Sequence, residues 1–178
     1  MSIDTVTDDR KISCCFTGHR DIPHDMRIAL AEKLEAEIER LQSEGVKCFL
    51  AGGALGFDTV AAESVLRVRK RHPQIQLGLV LPCVTQTRYW RKSDVENYNH
   101  IKQQADSVVY TAQEYHDGCM HVRNRYLVDH SGTCICYFTG GRGGTAYTVE
   151  YARKSGLKVV NLHLEKHDKE SEWRLFEE

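Results

Sequence analysis

The sequence lacks any hydrophobic run near the roughly 18 residues that a membrane-spanning helix requires. It also lacks the apolar core of a signal peptide, because the first residues, 1–11, form a polar and acidic arm. Neither sign of charge is in excess, since 24 Lys and Arg residues stand against 25 Asp and Glu residues. A net charge of −1 creates no overall field that would attract nucleic acid or a membrane surface. We therefore expect a cytoplasmic protein without a membrane partner, and nucleic acid is a disfavoured partner.

The sequence has seven cysteines but no C-x-x-C pair, so nothing in their spacing indicates a metal site. Four of them lie in strand-like runs, where a thiol behaves as a small buried hydrophobe. Cys83 and Cys119 fall in predicted loops. We expect reduced cysteines with a structural role, and we predict no bound metal.

Apolar runs alternate with amphipathic stretches along the whole chain, whose 178 residues fit one domain with a full core. Strands are predicted at 12–17, 48–51, 75–81, 107–111, 133–138 and 158–162. Helices are predicted at about 25–44, at 58–71, from Asp117 or Gly118 to about 130, and at 145–155. Between the third and fourth strands, Ser93 or Asp94 can cap a further helix with Val95, Tyr98 and Ile101 on one side. Short links between the elements predict a parallel sheet covered on both faces. The expected fold is a single α/β domain over 1–178, with a Rossmann-like, doubly wound, mostly parallel sheet flanked by helices.

The last residues, 163–178, form a charged tail that carries Trp173, Leu175 and Phe176. The pattern leaves two interpretations open: a short docked helix or a contact with a partner.

Three glycine-rich turns follow predicted strands, at 17–20, 51–58 and 139–145. In a doubly wound sheet the carboxyl ends of the strands share one edge, and ligands bind beyond that edge. Glycines let the backbone approach a ligand, and the free N–H groups at a helix start attract negative charge. The last turn contains four glycines around Arg142, more than a simple reversal of the chain requires. The turns therefore predict a phosphate-bearing ligand, in the first instance a nucleotide.

The predicted ligand-binding residues come from these turns and from the start of the helix that follows the fourth strand. They are Gly18, His19, Arg20, Gly52, Gly53, Asp58, Arg123, Asn124, Gly140, Gly141, Arg142, Gly143, Gly144 and Thr145. The planar guanidinium groups suit phosphate oxygens, and the paired glycines at 52–53 suit a ribose or a phosphate. His19 is interpreted equally well as an exposed loop residue. Asp58 is interpreted equally well as a carboxylate that stabilises the helix dipole.

Two familiar nucleotide motifs do not apply to this chain. Residues 141–146 match the letters of the dinucleotide fingerprint G-x-G-x-x-A, but they follow the fifth strand, with no second half-domain after them. A standard NAD site is therefore not expected. The sequence also contains no G-K-[ST], which excludes a Walker-type ATPase loop.

Several motifs occur together in an order that resembles a known family. They are Thr17-Gly18-His19-Arg20, the 52–58 turn, Pro82 with Gln86 and Trp90, Arg123-Asn124 through Asp129, and Gly143-Gly144-Thr145-Ala146. From about 12 to 160 the chain resembles the YpsA-like branch of the SLOG superfamily. This resemblance implies a Rossmann-like nucleotide-binding fold and, for several members, no established enzymatic activity. Relatives include the LOG phosphoribohydrolases and the DNA-processing protein DprA; because relatives often self-associate, a homo-oligomer is implied.

The resemblance also implies where an enzymatic glutamate would stand. LOG enzymes carry G-G-x-G-T-x-x-E, whereas the third residue after Thr145 here is Thr148 and the nearest glutamate is Glu150. Two residues rotate a helix by about 200°, so Glu150 is expected to point away from the ligand.

Three functions remain open from the sequence. The first is a sensing or regulatory protein that binds a nucleotide such as ADP-ribose, AMP or an NAD derivative, with no cofactor required. The second is a LOG-like N-glycosidase of nucleoside monophosphates, with Glu150 or Asp58 as the candidates for the acid–base group. The third is binding of single-stranded nucleic acid through the basic segments 67–71 and 88–92.

Overall fold

The computed structural model describes residues 10–163, and within them six strands form one sheet. The strands are β1 (Ser13–Gly18), β2 (Cys48–Ala51), β3 (Gln76–Leu81), β4 (Ser107–Tyr110), β5 (Thr133–Tyr137) and β6 (Lys158–Asn161). All neighbouring pairs are parallel, in the order β4-β3-β2-β1-β5-β6. The predicted strands are confirmed, with bounds that differ by one residue at most. The tail residues Trp173, Leu175 and Phe176 lie outside the described residues.

Five α-helices connect the described strands, one in each crossover. They are α1 (Arg27–Ser43), α2 (Phe57–Arg71), α3 (Lys92–Gln104), α4 (Cys119–Asp129) and α5 (Gly144–Lys154). The predicted cap at Ser93 or Asp94 is wrong, because α3 already begins at Lys92 after an extended Arg91, without a side-chain cap. The loop assignment of Cys119 is also wrong, because this buried residue opens α4.

The strand order explains which face each helix covers. From β1 to β4 the chain moves steadily toward one edge, so right-handed crossovers place α1, α2 and α3 on one face. The chain then returns past β1 to β5, which places α4 and α5 on the other face. Successive residues of β1 point to opposite faces, so Phe16 packs beneath α1 and α2 while Cys15 packs beneath α4 and α5. All seven cysteines are buried thiols, as predicted for Cys15 and its strand neighbours.

The strand order reverses between β1 and β5, whose carboxyl ends lie side by side. In open α/β sheets a crevice forms at such a reversal, because the connections on its two sides leave to opposite faces. Here the chain leaves β1 toward α1 and leaves β5 toward α5. This position is the one where the glycine turns were expected to meet. Within 10–163, no helix combines the length and the apolar character needed to cross a bilayer.

Candidate functional site

A cleft of about 390 Å³ opens at the carboxyl ends of β1 and β5. Eight of the predicted ligand-binding residues line it: Gly18, His19, Arg20, Asp58, Arg123, Asn124, Gly144 and Thr145. Thus the turns after β1 and β5, the start of α2 and the first turns of α4 share one concave surface. The other predicted residues, Gly52, Gly53, Gly140, Gly141, Arg142, Gly143 and the candidate acid–base group Glu150, are not among its walls.

The turn after β1 joins the two central strands at the cleft. His19 Nε2 accepts a hydrogen bond from the Thr139 N–H at 3.0 Å, which links the β1 turn to the β5 turn. Because an accepting ring nitrogen carries no proton, the neutral imidazole holds its proton on Nδ1. Gly18 lines the cleft, but the space that a side chain would occupy there is filled by the Phe57 ring. Gly18 therefore permits close packing of β1 against the start of α2, in addition to its place in the cleft wall.

The paired glycines after β2 lie against protein side chains. A Cβ added to Gly52 would overlap the Arg123 guanidinium and would lie 2.8 Å from Asp58 Oδ2. A Cβ added to Gly53, whose φ is +68°, would lie 2.5 Å from Leu81 Cδ2. The missing side chains make room for these neighbours, so the structure gives the two glycines a packing role.

Arg123 and Asp58 form a buried, oppositely charged pair around Gly52. Arg123 is 5% exposed; it donates to the Gly52 carbonyl and, through Nε, to Asn124 Oδ1 at 2.7 Å. Asp58 is 7% exposed and accepts a hydrogen bond from the Ala54 N–H at 3.2 Å. Burial raises the pKa of Asp58 above its ordinary value, although the Arg123 charge and the Ala54 N–H oppose this change. Burial likewise lowers the pKa of Arg123, and the Asp58 charge opposes it.

We expect Asp58→Asn to change how stability depends on pH. Because the folded-state pKa of Asp58 is raised, the folded protein holds this proton more tightly than the unfolded chain. Its contribution to stability is therefore complete below the ordinary carboxyl pKa of about 4 and is lost as pH rises through the folded-state value. The amide of the substituted side chain does not titrate, so the free energy of unfolding of the variant minus that of the wild type should increase with pH. Urea unfolding from pH 4 upward measures this difference; a difference that stays constant contradicts the expectation.

The turn after β5 presents open backbone beside the cleft. Gly140, Gly141 and Gly143 have φ values of 101°, 92° and 134°, and a Cβ at any of them would meet no atom within 4 Å. The turn leads directly into α5, which has no side-chain cap. The first N–H groups of a helix have no partner within the helix, so those at the start of α5 remain available to a ligand. Gly144 and Thr145, from the first turn of α5, carry this amino terminus into the cleft wall.

Further along α5 the side chains turn away from the cleft. Glu150 is paired with Lys154 at 2.8 Å, and 66% of its side chain is exposed. The Lys154 ammonium lowers the pKa of this carboxyl below its ordinary value. Thr148, at the position where LOG enzymes carry glutamate, is buried and donates to the Gly144 carbonyl at 2.7 Å. The expected direction of Glu150 therefore agrees with its position in the structure.

The three arginines of the basic segment 67–71 on α2 are held by carboxylates. Arg67 contacts Glu35 at 2.5 Å, and Arg71 contacts Glu39 at 2.9 Å, across the packing of α2 against α1. Arg69 lies 2.7 Å from an Asp106 oxygen. These pairs neutralise three of the four basic charges that the segment 67–71 offers to a nucleic-acid backbone.

Five residues of the cleft wall were not among the predicted ligand-binding residues: Phe16, Thr17, Ala54, Met120 and His121. Met120 and His121 lie in the first turn of α4, and the His121 ring stacks edge-on against Tyr147 of α5 at 4.5 Å. The available signal was the spacing of positions 120 and 121 to Asn124, which places them on one helix face. Among residues 10–163, no group of three His, Cys, Asp or Glu side chains is placed to hold a metal ion.

Comparison with known proteins places this fold and its motifs in a family. The family model YpsA, described as the YspA SLOG family, matches residues 15–164. The UPF0398 protein BH1768 of Halalkalibacterium halodurans is 32% identical over 140 residues, which cover 77% of this chain and 71% of that protein. The SPbeta prophage-derived protein YoqJ of Bacillus subtilis is 29% identical over 151 residues, which cover 76% of this chain and 88% of that protein.

A solved structure shares the fold at a greater distance in sequence. DNA processing protein A of Helicobacter pylori superposes with a TM-score of 0.62 at 18% identity, over 93% of this chain and 73% of that chain. At this identity the similarity shows the fold alone. The match over most of the chain, together with the glycine turns assembled at the reversal of strand order, supports one conclusion: the chain belongs to the YpsA SLOG family.

Proposed function

We propose that the cleft binds a phosphate-bearing nucleotide or nucleotide derivative, and that the protein senses this ligand or regulates in response to it. One observation carries the proposal: the uncapped amino terminus of α5 and the Arg20 side chain meet in a cleft at the reversal of strand order. Helix amino termini and guanidinium groups are the common binding groups for phosphate in proteins.

The charges around the cleft fit an anion. No described residue accepts a hydrogen bond or forms an ion pair with the Arg20 side chain, which is exposed at the cleft. Arg123 adds a second positive charge behind it, and Asp58 is the only carboxylate among the described cleft walls. Asn124 and the protonated Nδ1 of His19 supply polar groups of the kind that recognise a base or a ribose. Phosphate at Arg20 and α5, with the nucleoside toward α4, uses all of these groups.

Hydrolysis of an N-glycosidic bond is less well supported than binding. The glutamate candidate Glu150 lies outside the cleft and is paired with Lys154. Asp58 remains as the carboxylate of the cleft, but it is 7% exposed and is held by the Ala54 N–H and the Arg123 charge. These contacts suit a group that orders the turn, so we assign Asp58 a positioning role.

Nucleic acid is also less well supported as the ligand. The solved structure of the Helicobacter pylori protein describes a single-stranded DNA binding mode for that protein. In this chain, however, Arg67, Arg69 and Arg71 are engaged by carboxylates of the same chain. The segment 88–92 does present Tyr89, which is 89% exposed, with Arg88 over its ring at 5.5 Å. Proteins that bind single strands usually offer a row of aromatic rings on which successive bases stack, whereas this segment offers one exposed ring and its neighbouring cation.

Arg20→Gln should weaken nucleotide binding strongly. The substitution removes a charge-assisted contact to phosphate, which is worth about 1.5–3 kcal/mol, or about 10- to 150-fold in affinity. Isothermal titration calorimetry with AMP, ADP, ADP-ribose and NAD⁺ measures the loss. Arg125→Gln is the matched control, because Arg125 is exposed on α4 but is not a cleft wall.

The calorimetric results separate the alternatives clearly. Binding of one of the four ligands to the wild type and to Arg125→Gln, with a large loss in Arg20→Gln, is the expected outcome. Absence of heat and of thermal stabilisation for every ligand contradicts the proposed function. Equal affinity of both variants contradicts the placement of the phosphate at Arg20. Release of free base from AMP, followed by chromatography, would identify hydrolysis instead.

A further inference from the structure

A second and larger cavity lies on the other side of the 54–58 turn. Its volume is about 820 Å³, and it is enclosed by the first turns of α1 and α2 and by the segment from Trp90 to Tyr98. We call it the helix cavity. Ligand pockets commonly measure about 300–1,000 Å³. The cleft, at about 390 Å³, is near the lower limit of this range, whereas the helix cavity lies in its upper part.

Arg20 is a wall of both spaces. Ala54 and Asp58 line the cleft, whereas Leu55 and Gly56 line the helix cavity, so the turn forms a partition between them. The backbone of Arg20 is held against this partition, because the Phe57 N–H donates to the His19 carbonyl at 3.1 Å and Gly56 packs against the Arg20 carbonyl. A phosphate bound at Arg20 therefore has one space on each side of it.

The groups in the helix cavity differ from those of a second phosphate site. Four arginines and five carboxylates line it, so its walls carry no excess of positive charge. Two of the carboxylates are already engaged: Glu35 accepts from Arg67 at 2.5 Å, and Glu63 accepts from Asn97 at 3.0 Å.

The remaining carboxylates of the helix cavity are those of Asp21, Glu32 and Asp94. Within 10–163, no side chain donates to any of the three. Unengaged carboxylates at the wall of a cavity accept hydrogen bonds from hydroxyl groups, which a sugar supplies in number. Trp90, half-buried and stacked edge-on against Tyr98 at 5.5 Å, adds a flat apolar wall against which a sugar ring can pack.

We propose, on the basis of the proposed function, that the ligand is a nucleoside diphosphate that carries a second sugar. Its nucleoside half occupies the cleft, its diphosphate contacts Arg20, and its second sugar enters the helix cavity toward Glu32, Asp94 and Trp90. The shared arginine is what joins the two spaces into one extended site.

Two matched pairs of ligands test this assignment: ADP against ADP-ribose, and UDP against UDP-glucose. Within each pair the ligands share the nucleoside and the two phosphates, so their difference in affinity reports on the sugar. For a pair that binds, we expect the sugar-bearing member to bind at least about tenfold more tightly, as hydrogen bonds to charged groups predict. Isothermal titration calorimetry on the full chain gives the ratio.

Two variants of the helix cavity assign the effect to its walls. Glu32→Gln and the double variant Glu32→Gln/Asp94→Asn should both reduce the preference for the sugar-bearing ligand over the matching diphosphate. In the double variant this ratio of affinities should fall below about threefold. The affinity for ADP or UDP alone should not change. Glu96→Gln is the matched control: Glu96 lies on α3 beside Asp94 but faces away from the cavity, toward Lys92 at 3.8 Å. Thermal unfolding of each variant verifies that its fold is intact.

The possible results distinguish two failures. If ADP or UDP binds but the sugar-bearing ligand binds no more tightly, the inference is overturned and the proposed function stands. A sugar preference that survives both carboxylate variants also overturns the inference, because the sugar then lies elsewhere. If none of these four ligands binds the wild type, the inference is overturned, and the titrations with AMP and NAD⁺ decide whether the proposed function falls with it.

Discussion

Gly56→Ala is expected to lower the free energy of unfolding by about 3 kcal/mol, from two sources. The φ of Gly56 is +78° and its ψ is −120°, a backbone conformation that costs an L-residue of the order of 1–3 kcal/mol. In addition, the new Cβ would overlap the carbonyl of Arg20, and relief of such an overlap by backbone movement costs about 1–3 kcal/mol. Urea unfolding monitored by circular dichroism measures the total.

Gly118→Ala is the control for a glycine of positive φ that has free space around it. Gly118 also has a positive φ, +85°, but its ψ of −2° places it in the left-handed helical region, and a Cβ at this position meets no atom within 4 Å. Its substitution should therefore cost only the conformational part, about 1 kcal/mol. If the two variants lose the same stability, the close packing of the 54–58 turn against the β1 turn is wrong.

Gly56→Ala should also affect binding where the variant still folds. The Cβ can be accommodated only if the Arg20 backbone moves, and Arg20 lines both the cleft and the helix cavity. A displaced Arg20 cannot hold a phosphate between the two spaces, whereas Gly118→Ala leaves Arg20 in place. Nucleotide titration of both variants below their unfolding temperatures measures this difference.

The architecture could be predicted from the sequence because it depends on local patterns. Short apolar runs such as 48–51 and 133–137 are typical of buried parallel strands. Because these strands alternate with amphipathic helices and the crossovers are right-handed, few sheet topologies are possible. Once the strands are parallel, their carboxyl ends must share one edge, so the meeting of Gly18, Asp58 and Gly144 also follows from the sequence.

The roles of individual glycines could not be predicted in the same way. A missing side chain makes room either for a ligand or for a neighbouring group, and the sequence does not distinguish these. At Gly52 the neighbour is Arg123, which is 71 residues away along the chain, and at Gly53 it is Leu81. At Gly140 and Gly141, by contrast, no atom lies within 4 Å of the missing Cβ. The space beside these two glycines is therefore open.

The helix cavity likewise could not be predicted from the sequence. Its walls come from the amino-terminal parts of α1 and α2 and from the segment from Trp90 to Tyr98, and these three regions are separated by tens of residues in the chain. Arg20 and Trp90 were noticed as single motif residues, but only the packing of three helices on one face of the sheet brings them around a common space. The ion pairs of Arg67 and Arg71 could not be predicted for the same reason. Their carboxylate partners lie on α1, and only the packing of α2 against α1 brings them together.

Arg123→Met is expected to lower the free energy of unfolding by about 3–5 kcal/mol, as removal of one partner from a buried charge pair does. The Gly52 carbonyl loses the Arg123 donor and keeps only the long hydrogen bond from Gln86 Nε2 at 3.5 Å, and Asp58 stays buried without the positive charge that opposes its desolvation. Because the pKa of Asp58 then rises further, the loss of stability should be greater at pH 8 than at pH 5. Arg125→Met, on the exposed side of the same helix, should change stability by no more than about 0.5 kcal/mol.

A double-mutant cycle with Asp58→Asn shows whether the charge causes this loss. Asp58→Asn removes the uncompensated carboxylate, so the double variant Asp58→Asn/Arg123→Met should be more stable than the sum of the single changes predicts, by about 1–3 kcal/mol. In the Asp58→Asn background, the loss of stability caused by Arg123→Met should also be the same at pH 5 and at pH 8. Additive single effects, with the same pH dependence in both backgrounds, would mean that Arg123 acts through its contacts to Gly52 and Asn124 alone. Such a result would mean that the Arg123 guanidinium supports the turn after β2 through hydrogen bonds. The positive charge that attracts an anion to the cleft would then come from Arg20 and the start of α5.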